Sequence, residues 1–240
     1  MLQIQHLIKY YGKKQILHDV SFELDPGDIC AFIGSNGAGK TTTIKSALGL
    51  IPFDGGKILI GGHDIEKEPL EAKKLHSYVP DNPELYKFMR GIEYLNFIAD
   101  IFELDYETRR DRIEYYADLF AIRDRLGESI DNYSHGMQQK LALIAALIHD
   151  PKLIVLDEPF VGLDPMATKS IRETFKKMAA EKGTTILFST HVLEVAEKLC
   201  NKVAIIREGH LVFFGPTEDV LQKGSLEDLF MERMRDHGQA

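Results

Sequence analysis

The sequence predicts an α/β protein whose main sheet is mostly parallel and covered by helices on both faces. Short apolar runs alternate with segments of helical spacing at 28–51 and again at 152–215, a pattern typical of parallel sheets. The segments LQIQHLI (2–8) and ILHDVSFEL (16–24) alternate apolar and polar side chains and are followed by turn residues, which predicts an N-terminal antiparallel β subdomain. From about 83 to 150, apolar side chains recur about every 3.6 residues with little Gly or Pro, which predicts an inserted helical subdomain.

Individual elements follow from the same patterns. The predicted strands are LQIQHLI (2–8), ILHDVSFEL (16–24), DICAFIG (28–34), GGKILIGGHDI (55–65), KLIVLDEP (152–159), TTILFST (184–190) and the pair KVAIIREGHLVFFG (202–215). The predicted helices are TTTIKSALGLI (41–51), EYLNFIADIF (93–102), ETRRDRIEYYADLF (107–120), GMQQKLALIAALI (136–148), about 165–181, and VLEVAEKLC (192–200).

Residues 1–240 are expected to form one domain, because no linker, repeat or low-complexity stretch divides them. The tail at about 217–240 is expected to be short and helical. Its segment SLEDLFMERMRD predicts an amphipathic helix, opened by Ser225 with Asp228 three residues later in the spacing of a capping box.

Composition narrows the functional classes. A formal net charge of -8 argues against binding to nucleic acid or to an anionic membrane surface. No apolar run approaches the roughly 18 residues that span a bilayer, and the first residues do not resemble a signal peptide. Cys30 and Cys200 form no CxxC pair, which fits a reducing compartment. We therefore expect a cytoplasmic protein that reaches a membrane only through a partner.

A phosphate-binding loop is predicted between a strand and a helix. The segment GSNGAGKT (34–41) matches G-x-x-x-x-G-K-[ST] in the context that this motif requires. Lys40 is expected to bridge the β- and γ-phosphates of a nucleotide, and the Thr41 hydroxyl to ligate Mg²⁺. The predicted nucleotide-binding residues are Gly34, Ser35, Asn36, Gly37, Ala38, Gly39, Lys40, Thr41 and Thr42.

An acidic pair follows a buried strand in LIVLDE (153–158). Acids at the carboxyl end of a parallel strand lie where open α/β sheets bind ligands. Asp157 suits the holding of Mg²⁺ through a coordinated water, and Glu158 suits the deprotonation of an attacking water. Such a pair alone is more often a turn or a helix cap, but a phosphate loop in the same chain favours the catalytic interpretation.

Phosphate loops serve kinases, GTPases, helicases and transport ATPases, so the loop alone names no function. The segment YSHGMQQKLALIAALIHDPKLIVLDEPFVGLDP (133–165) is more specific. It resembles the block from the signature to the D-loop in ABC ATPases, especially those of bacterial drug, antibiotic and polysaccharide exporters. The likeness covers nearly the whole chain, with the family's motifs in order. It implies a RecA-like P-loop NTPase fold that hydrolyses ATP.

The resemblance also assigns residues. Tyr11, or the adjacent Tyr10, matches the aromatic that stacks on adenine; the alternative is a core tyrosine in a strand. The other matches are Ser134 and Gly136 for the signature, Asp164 for the D-loop, and His191 for the switch histidine that reaches the γ-phosphate. His191, Glu158 and Lys40 are the expected catalytic residues. Ser134 could equally be an ordinary helix cap.

The same resemblance implies partners. In this family the signature of one subunit approaches ATP on the phosphate loop of another, so two ATP molecules lie in a head-to-tail dimer. The second subunit would be a copy of this chain or a homologous ABC ATPase. A membrane-spanning permease would hold both at the inner face of the cell membrane.

Three positions depart from the family pattern. Asp81, in SYVPDNP, stands where the family has the Q-loop glutamine. A carboxylate is a harder oxygen ligand than an amide, so Asp81 is a candidate Mg²⁺ ligand, with Asn82 as its alternative. His135 stands where glycine is commonest in the signature, and Met137 stands where glutamine is. A side chain at 135 need not block a contact that the backbone makes with phosphate.

Two other functional classes fit the sequence less well than transport. A soluble ABC ATPase acting on ribosomes or DNA usually carries two cassettes or a coiled-coil insertion, and this chain shows neither. A nucleotide sensor without turnover would not need a carboxylate at Glu158.

The segment DNPELYKFM (81–89) is a candidate docking surface for the permease. It places Leu85, Tyr86, Phe88 and Met89 close together directly after the Q-loop position. Such a dense apolar group is either part of the core or an exposed patch that a partner covers.

Overall fold

The computed structural model describes residues 1–222 and 224–235. Its strands are β1 (Leu2–Tyr11), β2 (Lys14–Leu24), β3 (Ile29–Ile33), β4 (Gly55–Ile60), β5 (His63–Asp64), β6 (His76–Val79), β7 (Leu153–Asp157), β8 (Thr185–Thr190), β9 (Lys202–Arg207) and β10 (His210–Pro216). Its helices are α1 (Lys40–Ala47), α2 (Pro69–Leu75), α3 (Gly91–Ile101), α4 (Tyr106–Leu119), α5 (His135–Leu147), α6 (Pro165–Lys182), α7 (Leu193–Leu199), α8 (Thr217–Leu221) and α9 (Leu226–Arg235).

Within the described residues the strands form two sheets. The first is antiparallel and has the order β2–β1–β4–β5. The second has the order β10–β9–β3–β8–β7–β6, in which all neighbours run parallel except the edge strand β10. An antiparallel sheet joined to a mostly parallel sheet with helices confirms the predicted fold class.

The parallel sheet separates two apolar cores. Ile29, Ala31 and Ile33 of β3 contribute to the core under the helices, whereas Cys30 and Phe32 contribute to the core shared with the antiparallel sheet. This division follows from the period of two along a strand. Strands β3, β7 and β8 are buried along their whole length, which explains why they are continuous apolar runs in the sequence.

The predicted helical insertion connects two neighbouring parallel strands. Helices α3, α4 and α5 all lie between β6 and β7 in the chain, and β6 pairs with β7 in register from His76 with Leu153 to Val79 with Leu156. A parallel pair needs a crossover connection, and here that crossover carries the whole helical region. The insertion therefore re-enters the sheet at the amino end of β7, and Asp157 lies at the opposite end of that strand.

Three local expectations need correction. Helix α2 and strand β6 were not predicted, because β6 has only four residues and α2 is half charged. Helix α1 ends at Ala47 instead of reaching 51, since Gly49 takes a positive φ of 66° that ends the helix.

The C-terminal tail at 217–240 contains α8 and α9 as far as it is described, and 223 and 236–240 lie outside the described residues. The predicted capping box is present: the Asp228 N–H donates to Ser225 Oγ at 3.0 Å, and the Ser225 N–H donates to Asp228 Oδ2 at 3.2 Å. Among the helices of the described ranges, none has the length and apolar character needed to cross a bilayer.

Candidate functional site

The loop between β3 and α1 is shaped by glycines. Gly37 and Gly39 have φ values of 79° and 109°, which residues with a Cβ rarely adopt. A Cβ on Gly34 would lie 2.5 Å from the carbonyl oxygen of Ile206, so only glycine allows this close approach. Helix α1 begins at Lys40 directly after the loop, and its positive end therefore faces the turn.

Lys40 and Thr41 present their polar groups at the loop. The buried Lys40 ammonium donates hydrogen bonds to the carbonyl oxygens of Gly34 at 2.7 Å and Ser35 at 3.2 Å. The Thr41 hydroxyl donates to Asp157 Oδ2 at 2.7 Å, across 116 positions of the sequence. A cation suited to phosphate and two oxygen ligands suited to a divalent metal thus lie together at the start of one helix.

The acidic pair is held at the end of β7. Asp157 is buried, and its Oδ1 accepts a hydrogen bond from the Ser189 hydroxyl. The backbone N–H of Glu158 donates to Ser189 Oγ at 3.0 Å. Glu158 itself has a φ of 49°, and its Oε2 lies 3.0 Å from Nδ1 of His191. The arrangement directs the Glu158 carboxylate towards the histidine, with its main chain fixed by β8.

These groups surround one cavity of about 310 Å³. Its lining residues are Ile16, Ser35, Asn36, Gly37, Gly39, Lys40, Thr41, Thr42, Asp81, Asp157 and Glu158. The structure therefore brings Asp81 to the same cavity as Asp157 and Glu158. Among these acids, Asp157 is the one hydrogen-bonded to the Thr41 hydroxyl, and a carboxylate beside a hydroxyl is chemistry that fits a hard divalent cation such as Mg²⁺.

The two adjacent tyrosines differ in exposure. Tyr11 lies at the end of β1 and is 53% exposed, and Lys9 Nζ lies 5.3 Å from the centroid of its ring. Tyr10 is 39% exposed, and its hydroxyl donates to Gln15 at 2.9 Å. Neither is a core residue, and Tyr11 offers the more open ring for stacking on a base.

The signature residues lie elsewhere on the molecule. Ser134 caps α5, accepting a hydrogen bond from the Met137 N–H at 3.3 Å, and Gly136 lies in the first turn of that helix. Neither Ser134 nor Gly136 lines the cavity around the phosphate loop. The positive end of α5 is therefore not part of that cavity, although both belong to the same chain.

Asp164 caps the next helix and also contacts the signature helix. Its carboxylate accepts from the Ala167 N–H at 2.8 Å and lies 3.2 Å from the Lys140 ammonium. The hydrogen bond from Ala167, together with Lys140, lowers the pKa of Asp164 below its usual range. Within this chain the D-loop aspartate thus ties α6 to α5.

The candidate docking segment is divided between core and surface. Leu85 and Met89 pack against the core under the helices. Phe88 is 84% exposed and Tyr86 is 48% exposed, and the ring of Tyr86 lies 5.8 Å from that of Phe88 and 5.8 Å from that of Phe97. Tyr86, Phe88 and Phe97 therefore form an aromatic patch on the surface, while Leu85 and Met89 anchor the segment to the core.

A groove of about 410 Å³ lies beside this patch. It is lined by Leu48, Leu50, Lys73, His76, Ser77, Tyr78, Pro80, Pro83, Glu84, Leu85, Tyr94, Ile98, Phe102, Ala142, Ala145, Ala146 and His149. Burial lowers the pKa of His149 to about 4, so its imidazole is neutral at pH 7, and its ring stacks on Phe102 at 3.6 Å. The floor of the groove is therefore largely apolar.

Ser189 is a site residue that the sequence reasoning missed. It supports both Asp157 and Glu158, because β7 and β8 pair Asp157 directly with Ser189. The available signal was a polar residue at the end of an otherwise apolar strand, two positions before His191. Recognising it requires knowing which strands are neighbours.

Comparisons with known proteins agree with this geometry. The family model described as ABC transporter matches residues 17–161, more than half of the chain. The ABC transporter ATP-binding protein YhcH of Bacillus subtilis is 37% identical over 212 residues, covering 88% of this chain and 68% of that protein. The linearmycin resistance ATP-binding protein LnrL of the same organism is 35% identical over 223 residues, covering 93% and 71%.

A solved structure shows the same family resemblance. It is described as the ATP binding subunit of an ABC transporter, and it superposes with a TM-score of 0.93 at 33% identity, covering 98% of this chain and 100% of that one. The chain belongs to the ABC transporter family, as an ATP-binding subunit that hydrolyses ATP.

Proposed function

We propose that this chain powers an ABC exporter as one of two ATPase subunits that meet head to tail around two ATP molecules. Residues 1–240 would act as one ABC ATPase domain, with residues 83–150 as its helical subdomain. The observation that carries the proposal is the separation of Ser134 and Gly136 from the cavity that contains Lys40 and Glu158. A second subunit, either a copy of this chain or a homologue, supplies the missing signature.

The residues of the cavity divide the chemistry among them. Lys40 and the N–H groups of 34–42 hold the phosphates, and Tyr11 stacks on adenine. When bound, Mg²⁺ would supply positive charge that offsets the negative charge of the phosphates. Thr41, Asp157 and Asp81 are the residues that would hold it.

Glu158 is placed to remove a proton from the attacking water, and His191 Nδ1 steadies its carboxylate at 3.0 Å. His191 is exposed over most of its surface, with 61% of its side chain accessible, so it can also reach a γ-phosphate. Ser134 and Gly136 would bind the phosphates held by the partner subunit.

The surface around the D-loop supports the dimer. Val161, Met166 and Val192 are 41%, 75% and 38% exposed, although all three are apolar. Val161 lies three residues after Glu158, and Val192 directly follows His191. The Glu158 and His191 side chains are themselves in contact. Apolar side chains at the rim of a charged site fit a surface that a second subunit covers.

The membrane partner is proposed to occupy the groove beside the aromatic patch of Tyr86, Phe88 and Phe97. The patch and groove are continuous with Asp81 through the segment 81–89, so movement at the metal site is transmitted to the partner. An exporter is proposed because the relative LnrL is named for linearmycin resistance. Attachment through this permease would place the chain at the inner face of the cell membrane.

The Glu158→Gln substitution should preserve ATP binding while lowering turnover by about 10²–10⁴-fold, the usual loss for a general base. The variant should accumulate as an ATP-bound dimer, which size-exclusion chromatography detects. Steady-state hydrolysis at the parental rate would remove Glu158 from this role.

The Lys40→Ala substitution should instead weaken binding itself, because the cation that faces the phosphates is lost. Titration with a fluorescent ATP analogue should show a large rise in the dissociation constant. Lys45, half-buried in the last turn of the same helix and outside the cavity lining, gives the matched control Lys45→Ala, for which binding should be unchanged. Parental affinity in the Lys40 variant would contradict the loop assignment.

The Phe88→Glu substitution should abolish co-purification of the chain with its membrane-spanning subunit while sparing ATPase activity and thermal stability. Phe88 is 84% exposed, so its replacement removes contact area for a partner and little packing within the chain. Tyr106, which is 73% exposed on α4, gives the control Tyr106→Glu, for which co-purification should persist. If Phe88→Glu still co-purifies, the permease docks elsewhere.

A further inference from the structure

The signature helix touches the segment that carries the proposed general base of its own subunit. That segment, residues 158–164, joins the end of β7 to the start of α6. At its centre, Gly162 lies against His135, the first residue of α5: a Cβ on Gly162 would stand 2.9 Å from Cδ2 of the imidazole. The ring of His135 therefore fills the space that a side chain at 162 would need.

Gly162 is fixed from a second side by the same helix. Its carbonyl oxygen lies 3.1 Å from the position that a Cβ on Gly136 would take. Two consecutive residues of the signature thus hold one residue of the 158–164 segment. Gly162 also has a φ of 76°, so both its backbone conformation and its close neighbours require glycine.

The ends of the segment are held by other contacts. The Glu158 N–H donates to Ser189 Oγ, and the ring of Phe160 packs edge-on against Phe188 with centroids 5.5 Å apart. Asp164 caps α6 at the far end. Between these ends, Leu163 packs against the core under the helices, and Gly162 lies against His135 and Gly136 of α5.

Glu158 is sensitive to how this segment is held. Its φ of 49° is a left-handed conformation that is unfavourable for a residue with a side chain. Such a conformation persists only where surrounding contacts enforce it. The Val161 N–H closes a turn onto the Glu158 carbonyl oxygen at 3.2 Å, so a shift at Gly162 passes directly to Glu158.

We infer that His135 is a positioning residue for hydrolysis, whose ring holds Gly162 and thereby aims the Glu158 carboxylate at the attacking water. This role rests on the proposed function of Glu158 as the general base. His135 would then act within its own subunit, through packing of its ring and not through its nitrogen atoms.

The His135→Ala substitution should lower kcat for ATP by about 10–100-fold, because a misplacement of about 1 Å in a catalytic group costs up to about 10²-fold. KM and the dissociation constant for a fluorescent ATP analogue should change less than about twofold, since His135 does not line the cavity. His135→Phe keeps a ring of similar size without nitrogen atoms and should restore most of the lost kcat. His63→Ala, on the β4–β5 hairpin, should match the parent in every measurement.

A double-variant cycle tests the contact itself. Gly162→Ala should lower kcat, because its new Cβ collides with the ring. Combined with His135→Ala, it should cost less than the product of the two separate losses, because the ring that it strikes is gone. Melting temperatures of all variants, measured in parallel, separate these effects from unfolding.

The inference is overturned if His135→Ala retains the parental kcat, if His135→Phe is as slow as His135→Ala, or if the two losses multiply independently. Parental activity in Glu158→Gln, assayed beside these variants, would instead contradict the general-base assignment on which the inference rests. A shared loss in His135→Ala and His135→Phe with a raised KM would show that the imidazole nitrogen contacts the nucleotide of the partner subunit.

Discussion

The carboxylate of Asp157 joins three elements that are distant in the sequence. It ends β7, accepts a hydrogen bond from Thr41 at the start of α1, and accepts another from Ser189 at the end of β8. Because it is buried, each of its oxygens needs such a donor to offset the loss of water. The two carboxylate oxygens of Asp157 thus hold these three elements together. The same oxygens are suited to bind a divalent cation beside a phosphate.

Sheet order explains why the site assembles where it does. Strands β3, β8 and β7 are neighbours and run parallel, so their carboxyl ends meet at one edge. The phosphate loop follows β3, His191 follows β8, and Glu158 follows β7. The long helical insertion leaves from β6 and returns at β7, and the first turn of its signature helix contacts the segment after Glu158. Ser134 and Gly136, at the start of that helix, nevertheless do not line the cavity that contains Lys40 and Glu158.

Much of this could be predicted from sequence because the decisive signals are local. The phosphate loop needs its glycines for backbone conformation, and the acids after β7 follow an apolar run that only a buried strand explains. What escaped prediction depends on contacts between distant segments. Ser189 matters only because β8 pairs with β7, and β6 was missed because a strand of four residues at a sheet edge has too little pattern.

The split at 81–89, with Leu85 packed against the core and Phe88 exposed, depends on tertiary contacts that the local sequence pattern does not indicate. The packing of His135 on Gly162 has the same kind of origin, since no spacing along the chain indicates that the two meet.

The central claim is that a complete catalytic centre needs a phosphate loop from one subunit and a signature from another. Mixing two variants tests this most directly. Glu158→Gln lacks the base, Ser134→Arg blocks the signature, and each alone should hydrolyse ATP at a small fraction of the parental rate.

In a mixed dimer one of the two centres carries both defects and the other carries neither. The steady-state ATPase rate of the mixture should therefore exceed the sum of the rates of the two variants measured separately. A mixture that shows only this sum, or a Ser134→Arg variant that is fully active alone, would contradict the account.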